Sequence, residues 1–268
     1  MKPQAFDTYA AAYDAHFTES NIGKIQRRQV WKIFSSLGLQ NQSVLEINCG
    51  TGEDAKALAR AGHHVTATDA SAGMIQVARG KNTDSKDYVS FQQIDFLWLK
   101  DELKNKKFNV IFSNFGGLNC ISANELKILA TDFNNLLEPG GYLFLVIMGR
   151  NCWWEQRYFL HKGDSQKAYR RQSQQGVDTA INDMQFKTWY YSPEEVTQVF
   201  APHFKVEKIR PAGLFVPPSY LETFFSRNLF MLGLLKGLDT IFGRFAFLAN
   251  HADHFVIVMR KRETKRTV

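Results

Sequence analysis

Short apolar stretches alternate with helix-like stretches between residues 43 and 148, and this alternation constrains the fold more than any other feature of the sequence. The predicted strands are Ser43–Asn48, His64–Asp69, Tyr88–Asp95, Phe108–Asn114 and Tyr142–Met148. The predicted helices between them are Glu53–Ala61, a helix from the N-cap Ser71 to Arg79, and Asn124–Leu137. This alternation is typical of parallel strands joined by crossover helices. The last strand is apolar almost throughout, as expected for burial on both faces.

The pattern changes after Gly149, where aromatic and basic residues become frequent. The predicted elements there are a helical segment at Asn151–Gln175, a strand at Thr179–Ser192, a helix at Pro193–Phe200, a strand at Phe204–Gly213, a helix at Leu229–Leu248 and a strand at His254–Lys261. Ser192 is a predicted N-cap, with proline in the first turn of its helix. Lys236, Asp239 and Arg244 interrupt the apolar residues of Leu229–Leu248, so this helix is not predicted to span a membrane.

Composition excludes several classes of protein. The chain has 268 residues, of which 44% are hydrophobic and 22% are charged, and it contains no repeat or low-complexity stretch. These values are typical of a globular protein and exclude disordered, fibrous and array architectures. Three cysteines are too few for a disulfide framework, and the N-terminus lacks the apolar core of a signal peptide. We therefore expect a reducing, cytoplasmic location.

A glycine-containing turn is predicted between the first strand and the first helix. Gly50 and Gly52 lie in it, and a glycine turn that opens a helix is typical of nucleotide-binding sites, since free helical amides face the ligand. The dinucleotide fingerprint G-x-G-x-x-G is missing, because Asn48 occupies its first glycine position. Asp54 lies near the helix start, where a carboxylate would repel a pyrophosphate. NAD and FAD are therefore disfavoured, and the sequence also lacks a Walker lysine.

Five further features follow one another in a fixed order. V-L-E-I-N-C-G-T-G-E-D-A surrounds the glycine turn, Asp69 ends the second predicted strand, and Asp95-Phe96 ends the third. F-N-V-I-F-S-N-F-G-G-L-N forms the fourth strand with its exit, and L-L-E-P-G-G-Y-L-F-L-V-I-M leads into the fifth. In this order they resemble the motifs of class I S-adenosylmethionine-dependent methyltransferases. Upstream, A-F-D-T-Y-A-A-A-Y-D-A-H-F is similar to the N-terminal helix of the ubiquinone and menaquinone branch, and the resemblance covers about residues 5–148.

The resemblance implies an α/β fold: a Rossmann-like, seven-stranded, mostly parallel sheet with helices on both faces, an antiparallel last strand, and helical insertions after strands five and six. It implies one domain over residues 1–268, with cofactor-covering helices at 1–42, a cofactor-binding core at 43–149, and acceptor-side insertions or a lid at 150–190 and 214–250. The implied cofactor is S-adenosyl-L-methionine, with S-adenosyl-L-homocysteine as product. The residues implied at the cofactor are Tyr9, Tyr13, Glu46, Asn48, Cys49, Gly50, Thr51, Gly52, Asp69, Ala70, Met74, Asp95, Phe96, Asn114, Phe115 and Gly116.

Individual roles follow from the same resemblance, and the chemistry of the residues agrees with them. Asp69 is expected to accept both ribose hydroxyls, which a carboxylate at a strand end can do. Asp95 and Phe96 are expected to hold adenine, one by accepting a hydrogen bond and the other by stacking. Glu46 is expected to contact the amino-acid end of the cofactor. Asn48 departs from the glycine that is usual in the family; because asparagine tolerates a left-handed conformation, we expect an altered turn and an intact site.

The methyl acceptor is expected to contact the region beyond the shared core. Val216–Leu248 separates the sixth and seventh predicted strands, where the minimal fold of the family has a tight hairpin. Its amphipathic, aromatic pattern predicts a lid over an apolar or aromatic acceptor. The leading hypothesis is in-line methyl transfer to a small hydrophobic or aromatic metabolite. The alternatives are an RNA or protein methyltransferase that uses the basic C-terminal half, and a non-catalytic cofactor-binding protein.

The net charge of +7 belongs entirely to the second half of the chain. Residues 1–149 carry 15 basic and 15 acidic residues, whereas residues 150–268 carry 18 basic and 11 acidic ones. A basic half suits nucleic acid, anionic lipid or an acidic substrate, but it is equally typical of a solvated face with a basic tail, here Arg260, Lys261, Arg262, Lys265 and Arg266. We expect a small-molecule acceptor rather than nucleic acid. Weak contact of Leu229–Leu248 with a membrane surface is a secondary prediction, and the oligomeric state is left open.

No catalytic residue is assigned from the sequence. The acid–base candidates near expected strand exits are His161, His203, His251, His254 and Tyr191, and packing or surface exposure is the competing interpretation for each. No metal site is predicted, because the spacing His251-x-x-His254 is short and no third ligand is evident. Cys49 and Cys120 lack the Pro-Cys pair of cytosine-5 methyltransferases, which favours small buried hydrophobes.

Overall fold

The computed structural model describes residues 6–81, 89–181, 184–225 and 227–263. The strands are β1 Ser43–Ile47, β2 His64–Asp69, β3 Val89–Gln93, β4 Phe108–Ser113, β5 Leu137–Met148, β6 Val177–Ile181, β7 Met184–Thr188, β8 Phe204–Ala212 and β9 His254–Lys261. Seven of them form one sheet in the order β3-β2-β1-β4-β5-β9-β8, and β6 and β7 form a separate two-stranded sheet.

The directions of the strands confirm the predicted fold class. β1 to β5 pair in parallel, whereas β9 runs antiparallel to both of its neighbours, β5 and β8. The carboxyl ends of the parallel strands therefore meet at one edge of the sheet. In open α/β sheets this edge is where ligands bind, near the point where the strand order reverses. That point lies here between β1 and β4.

Helices cover both faces of the sheet. They are α1 Ala10–Tyr13, α2 Asn21–Ser35, α3 Glu53–Arg60, α4 Ala72–Lys81, α5 Leu99–Glu102, α6 Ala123–Leu136, α7 Trp153–His161, α8 Ser165–Ala168, α9 Pro193–Phe200, α10 Glu222–Phe225 and α11 Leu229–Phe242. Ser122 and Ser192 are the N-caps of α6 and α9, and each forms a capping box with the glutamate three residues later. The serine side chain accepts a hydrogen bond from the glutamate amide, and the glutamate side chain accepts one from the serine amide. Helices α7, α8, α10 and α11 lie in the predicted insertions.

Successive side chains of a strand point to opposite faces of the sheet, so the core consists of two layers, one on each face. On β1, Leu45 contributes to the layer beneath α6 and α9, whereas Val44 contributes to the layer beneath α2, α3 and α4. Phe133 of α6 and Phe34 of α2 are fully buried representatives of the two layers. A third, smaller cluster joins the start of α2 to α10 and α11. The second insertion is thus packed against the N-terminal helices.

The structure corrects several predicted boundaries. Thr179–Ser192 is not one strand: β6 and β7 pair as an antiparallel hairpin. Glu138–Gly141, predicted as a turn, lies within β5, where the register to β4 shifts and accommodates it. The third strand ends at Gln93 rather than at Asp95. Helix α11 stops at Phe242, and a 3₁₀ helix at Ala246–His251 follows.

The predicted helical segment after Gly149 is also interrupted. It contains α7, α8 and a 3₁₀ helix at Arg170–Gln172. No helix in the described part of the chain is long and apolar enough to cross a membrane. Four residues named in the sequence predictions lie outside the described residues: Ala5, Tyr88, Lys265 and Arg266.

Candidate functional site at the carboxyl edge of the sheet

The glycine turn joins β1 to α3 at the edge of the sheet. Asn48, Gly50 and Gly52 have φ of 48°, 53° and 79°, so three of its five residues are left-handed. The Cys49 amide donates to the Thr68 carbonyl at 2.9 Å, and the Gly52 amide donates to the Cys49 carbonyl at 3.0 Å. A Cβ atom on Gly52 would lie 2.8 Å from the Phe91 ring. The turn therefore needs glycine for both its conformation and its packing.

Asn48 adopts the left-handed conformation that the sequence predicts for it. Its Nδ2 donates to the Asn114 carbonyl at 2.9 Å, and its Oδ1 accepts from the Ser113 hydroxyl at 2.7 Å. Gly117 leaves the space for this side chain, because a Cβ there would lie 2.2 Å from Asn48 Cγ. The side chain thus ties the turn to the exit of β4, which a glycine could not do.

Asp69 lies at the carboxyl end of β2 and braces the turn. Its Oδ2 accepts from the Gly50 amide at 2.8 Å, and its Oδ1 accepts from the Ser71 amide at 2.9 Å. Burial raises the pKa of Asp69, and these two amides oppose the shift. Ser71 in turn accepts from the Met74 amide at 3.1 Å, which caps the start of α4. Each carboxylate oxygen keeps a second lone pair for a ligand.

Glu46 is buried one residue before the end of β1. Its side chain is 2% exposed, and its Oε2 has no hydrogen-bond partner within the described residues. Burial raises the pKa of Glu46 well above its usual range, and the charge of Asp54 adds to this. The same acidic surroundings act on Cys49: burial first, then Asp69 and Glu46, raise the pKa of its thiol. The field at the strand end therefore favours a cationic or hydrogen-bond-donating ligand.

Asp54 does not face the ligand side as an isolated charge, contrary to the reasoning from the sequence. Arg27 Nη1 lies 2.6 Å from its Oδ2, the Trp31 indole donates to its Oδ1 at 2.8 Å, and Asn114 Nδ2 donates at 3.0 Å. Its charge is thus compensated, and the argument that it repels a pyrophosphate fails. The unpartnered Glu46 carboxylate carries that argument instead. Arg27 and Trp31, four residues apart on α2, were missed because only the tertiary fold brings them here.

Asp95 and Phe96 lie beside Asp69. Asp69 pairs with Gln93 across the sheet, and the Ile94 amide donates to the Asp69 carbonyl at 3.0 Å. Asp95 follows directly and caps the 3₁₀ helix Phe96–Trp98, with its Oδ1 accepting from the Leu97 amide at 3.0 Å. Both side chains are partly exposed. The structure thus brings the predicted ribose and adenine residues to adjacent strand ends.

The N-terminal segment is docked on the same edge by two aspartates. Asp7 accepts from the Ser71 hydroxyl at 2.6 Å and from the Gly73 amide at 3.1 Å. Asp14 accepts from the Thr51 hydroxyl at 2.6 Å, and it also pairs with Lys81. Both aspartates belong to the N-terminal segment that resembles the ubiquinone and menaquinone branch, in which only Tyr9 and Tyr13 were predicted as site residues. The F-D-x-x-A-x-x-Y-D pattern of that segment contains both aspartates and could have identified them.

The two tyrosines of this segment differ in their surroundings. The Tyr13 ring packs on Phe17 at 5.7 Å between centroids, and burial raises its pKa to about 12, with the charges of Arg27, Asp54 and Asp69 acting on it as well. Tyr9 forms a hydrogen bond of 3.0 Å with His16 at an exposed position and stacks on the same ring. Only Tyr13 is enclosed with the acidic groups of the turn.

The exit of β4 supplies an aromatic wall. Phe115 has a φ of 48° and is followed by Gly116 at 80°. The Phe115 ring contacts Phe17 edge-on at 5.0 Å between centroids, and the Arg27 guanidinium lies 5.2 Å from it. A cation over an aromatic face is a favourable contact. This wall joins the N-terminal helices to the core.

One of the five acid–base candidates lies at this wall. The His254 ring meets Phe115 edge-on at 5.5 Å, and its Nδ1 lies 3.2 Å from Asp253 Oδ2. His251 stacks on Trp153, with 4.4 Å between the ring centroids. Tyr191 donates its hydroxyl to the Ile121 carbonyl, a structural contact.

The other two candidates lie elsewhere. His161 is exposed at the end of α7, and His203 lies at the amino end of β8 beside Thr131. His254 is therefore the only one of the five that the structure brings to the site.

Three arginines of the second half form ion pairs that hold the first insertion to the core. Arg171 pairs with Glu155 and Asp253 at 3.0 and 2.9 Å, and all three are buried. Arg170 also binds Glu155, and Arg150 pairs with Glu195 at 2.9 Å. Because their partners are acidic residues of the same half, these pairs leave its net charge of +7 unchanged.

Comparison with known proteins matches residues 44–141 to a family model described as a methyltransferase domain. A demethylmenaquinone methyltransferase from Clavibacter sepedonicus is 28% identical over 143 residues, which are 52% of this chain and 55% of that protein. A malonyl-[acyl-carrier protein] O-methyltransferase from Buchnera aphidicola is 28% identical over 153 residues, 57% of this chain and 56% of that protein. The chain spans about half the length of these curated relatives.

A solved structure extends the likeness in fold over the whole chain. The CcbJ methyltransferase from Streptomyces caelestis covers 98% of this chain and 100% of its own, with a TM-score of 0.64 and 16% sequence identity. At this identity the likeness concerns the fold alone. It includes the insertions as well as the matched residues 44–141.

Proposed function

We propose that this chain, whose residues 44–141 match a methyltransferase domain, transfers a methyl group from S-adenosyl-L-methionine to a small hydrophobic or aromatic acceptor. The observation that carries the proposal is the buried carboxylate of Glu46, whose Oε2 has no partner in the described part of the chain. A buried polar group without a partner costs free energy unless a ligand meets it. The ammonium group of the donor's amino-acid end is such a ligand.

The neighbouring residues fit the rest of the donor molecule. Asp69 is held rigidly by two amides and retains lone pairs for ribose hydroxyls. Asp95 and Phe96 lie at the next strand end, where an acceptor oxygen and a ring face suit adenine. Gly50 and Gly52 let the backbone approach the ligand closely. A pyrophosphate, by contrast, would meet the unpaired Glu46 carboxylate.

The chain contributes orientation and exclusion of water to the reaction. When bound, the donor supplies a methyl group on a sulfonium, which is already a good leaving group for in-line displacement. The protein therefore needs mainly to align the acceptor and keep the site dry. The Tyr13 ring packs on Phe17, which contacts Phe115 edge-on, so these rings line the exit of β4. His254, whose ring meets Phe115 edge-on at 5.5 Å, is the acid–base candidate that lies at this edge.

The acceptor class is inferred from the residues around the site. The second insertion packs Leu221, Phe225 and Leu232 against Ile22 of α2, with Trp154 at the side, so its inner face is apolar and aromatic. Apolar and aromatic side chains predominate in sites that bind small molecules, which favours a small acceptor with aromatic or aliphatic surface over RNA or protein.

Titration calorimetry with S-adenosyl-L-methionine and S-adenosyl-L-homocysteine tests the first step of the proposal. We expect micromolar binding by the wild type and a loss of at least about tenfold in the Asp69→Ala variant, because a hydrogen bond to a charged group contributes about 1.5–3 kcal/mol. Asp178→Ala is the matched control, since Asp178 is exposed on the β6–β7 hairpin. Absence of binding by the folded wild type would refute the proposal.

Catalysis is distinguished from simple binding by a second measurement. The protein is incubated with the methyl donor and a fractionated metabolite extract, and release of S-adenosyl-L-homocysteine is followed. We expect release in apolar fractions. Release only with added RNA would support the alternative acceptor, and binding without release in any fraction would support a non-catalytic protein.

A further inference from the structure

An apolar patch covers the outer side of the second insertion. Ten of the sixteen large apolar side chains that are exposed in the described part of the chain lie between residues 220 and 247. They are Tyr220, Phe224, Leu229, Phe230, Leu234, Leu238, Ile241, Phe242, Phe245 and Phe247. Single exposed apolar residues are ordinary, but a contiguous set of this kind marks an interaction surface. We call these ten residues the apolar patch.

The patch is a face of helix α11 rather than an accident of loose packing. Leu232 and Asp239, seven residues apart, are buried and anchor one side of the helix. Phe230, Leu234 and Ile241 are 79%, 56% and 53% exposed, and at 100° per residue they project from the opposite side. The helix is therefore apolar on its outer side as well, where a surface helix of a soluble domain is usually polar.

The charges around the patch have one sign. Arg227 and Arg244 are exposed just before and just after α11, and Lys236 is exposed on the side of the helix nearer Leu232. The carboxylates of the same segment are both turned inward and satisfied: Asp239 accepts from the Phe215 and Val216 amides, and Glu222 accepts from the first amides of α2. No exposed carboxylate lies between residues 219 and 252 in the described part of the chain.

We propose that the apolar patch docks on an anionic lipid membrane surface, with α11 lying in the plane of the interface. A convex helix with bulky apolar side chains outward and basic residues beside them matches the boundary between acyl chains and anionic headgroups. The long stems of Arg227 and Arg244, at the two ends of α11, can reach the headgroups while the apolar side chains insert. A second copy of this chain fits less well, since a two-fold contact would bring these like charges together. The inference does not depend on methyl transfer.

Vesicle flotation tests the proposal with the full-length protein. We expect it to float with vesicles of phosphatidylcholine containing 30% phosphatidylglycerol, and to float much less with phosphatidylcholine alone or at 1 M salt. The variant Phe230→Ser/Leu234→Ser/Ile241→Ser should lose binding. Arg227→Glu/Arg244→Glu should weaken it at least about 25-fold, because each cation near an anionic surface contributes about fivefold.

The controls separate docking from unfolding and from self-association. Ile128→Ser removes a side chain of similar exposure, 58%, on the distant helix α6 and should leave flotation unchanged. The wild-type salt dependence and the charge-reversal variant keep the test decisive even if the triple variant fails to fold. Failure of the wild type to float with anionic vesicles overturns the proposal. So does a dimer in sedimentation velocity that the Phe230→Ser/Leu234→Ser/Ile241→Ser variant abolishes, since the patch would then be covered by a second copy.

Discussion

Glu46 is a buried carboxyl group at the site whose surroundings do not satisfy it in the absence of a ligand. It is buried at the end of β1, one of its oxygens has no partner in the described part of the chain, and burial raises its pKa. A folded-state pKa above the unfolded value means that the group stabilises the fold at low pH. That contribution is lost as the pH rises above 4.5, the ordinary pKa of a glutamate, and then through the raised pKa of Glu46 in the folded protein.

Glu46→Gln should therefore move stability and affinity in opposite directions. We expect the ligand-free variant to be more stable than wild type by about 1–3 kcal/mol at pH 8, with a smaller difference at pH 5, because the amide has no charge to bury. We also expect S-adenosyl-L-methionine to bind at least about tenfold more weakly. Urea unfolding at both pH values and titration calorimetry check this.

The matched control is Glu102→Gln, which neutralises an exposed carboxylate at the end of α5. It should change neither quantity. If Glu46→Gln lowered stability at pH 8, the carboxylate would be satisfied within the protein, and its assignment to the donor would be wrong.

At the scale of elements, the turn between β1 and α3 depends on glycine for two separable reasons. Gly52 has a φ of 79° and also lies against the Phe91 ring. Gly62, which follows α3, has a φ of 89°, but a Cβ there would meet no atom within 4 Å. The two positions separate backbone strain from steric conflict.

Gly62→Ala should cost about 1–2 kcal/mol, the price of a left-handed alanine. Gly52→Ala should cost about 1–3 kcal/mol more, because the ring of Phe91 must also move. Only Gly52→Ala should weaken binding of the methyl donor. Thermal unfolding and calorimetry on both variants measure these effects, and equal losses of stability would show that the Phe91 contact is unimportant.

Helix α2 links the core to the second insertion through polar side chains that its sequence does not mark. Gln29 donates to Asp239 at 2.8 Å and accepts from the Gly213 amide at 3.0 Å. Gln26 donates to the Pro217 carbonyl and to Asp253, both at 3.2 Å. Glutamine on a helix is ordinarily solvated, so only the position of these partners reveals the role.

At the scale of the whole molecule, a buried charge network holds the first insertion to the sheet. Arg171 bridges Glu155 of α7 and Asp253, the residue that precedes β9. Burial by itself disfavours the charged forms, but the neighbouring His254 and Arg171 lower the pKa of Asp253, and Arg170 and Arg171 lower the pKa of Glu155. Lowered values mean stability that is present above the ordinary values of 3.8 and 4.5 and lost as pH falls.

Arg171→Met should therefore destabilise the protein mainly at neutral pH. We expect a loss of about 3–5 kcal/mol at pH 7, because buried carboxylates are left without their partner. The difference from wild type should shrink as pH falls below about 4, where the pair is also lost in the wild type. Arg157→Met, at an exposed position of α7, should change stability by less than about 0.5 kcal/mol. A constant difference at all pH values would contradict the ion-pair account.

The sequence predicted the central elements closely. β2 and β9 have the predicted bounds, and α9 begins at its predicted cap, because periodicity and capping are local properties. The β6–β7 hairpin and the extension of β5 through Glu138–Gly141 were missed. At β5 a strand continues through a local turn signal, whereas at β6 and β7 the chain turns back and pairs with itself where one strand was predicted. Both outcomes depend on strand pairing, which is not a local property.

The sequence by itself determined the parallel core, the glycine turn and the order of carboxylates at successive strand ends, since these follow from periods and spacings along the chain. Only the tertiary structure decided which charges are compensated. Arg27 neutralises Asp54 and Arg171 neutralises Asp253, whereas Oε2 of Glu46 receives no hydrogen-bond partner in the described part of the chain. It also decided that the outer face of α11 stays uncovered. Compensation and exposure depend on distances between residues far apart in sequence, and those distances exist only once the chain has folded.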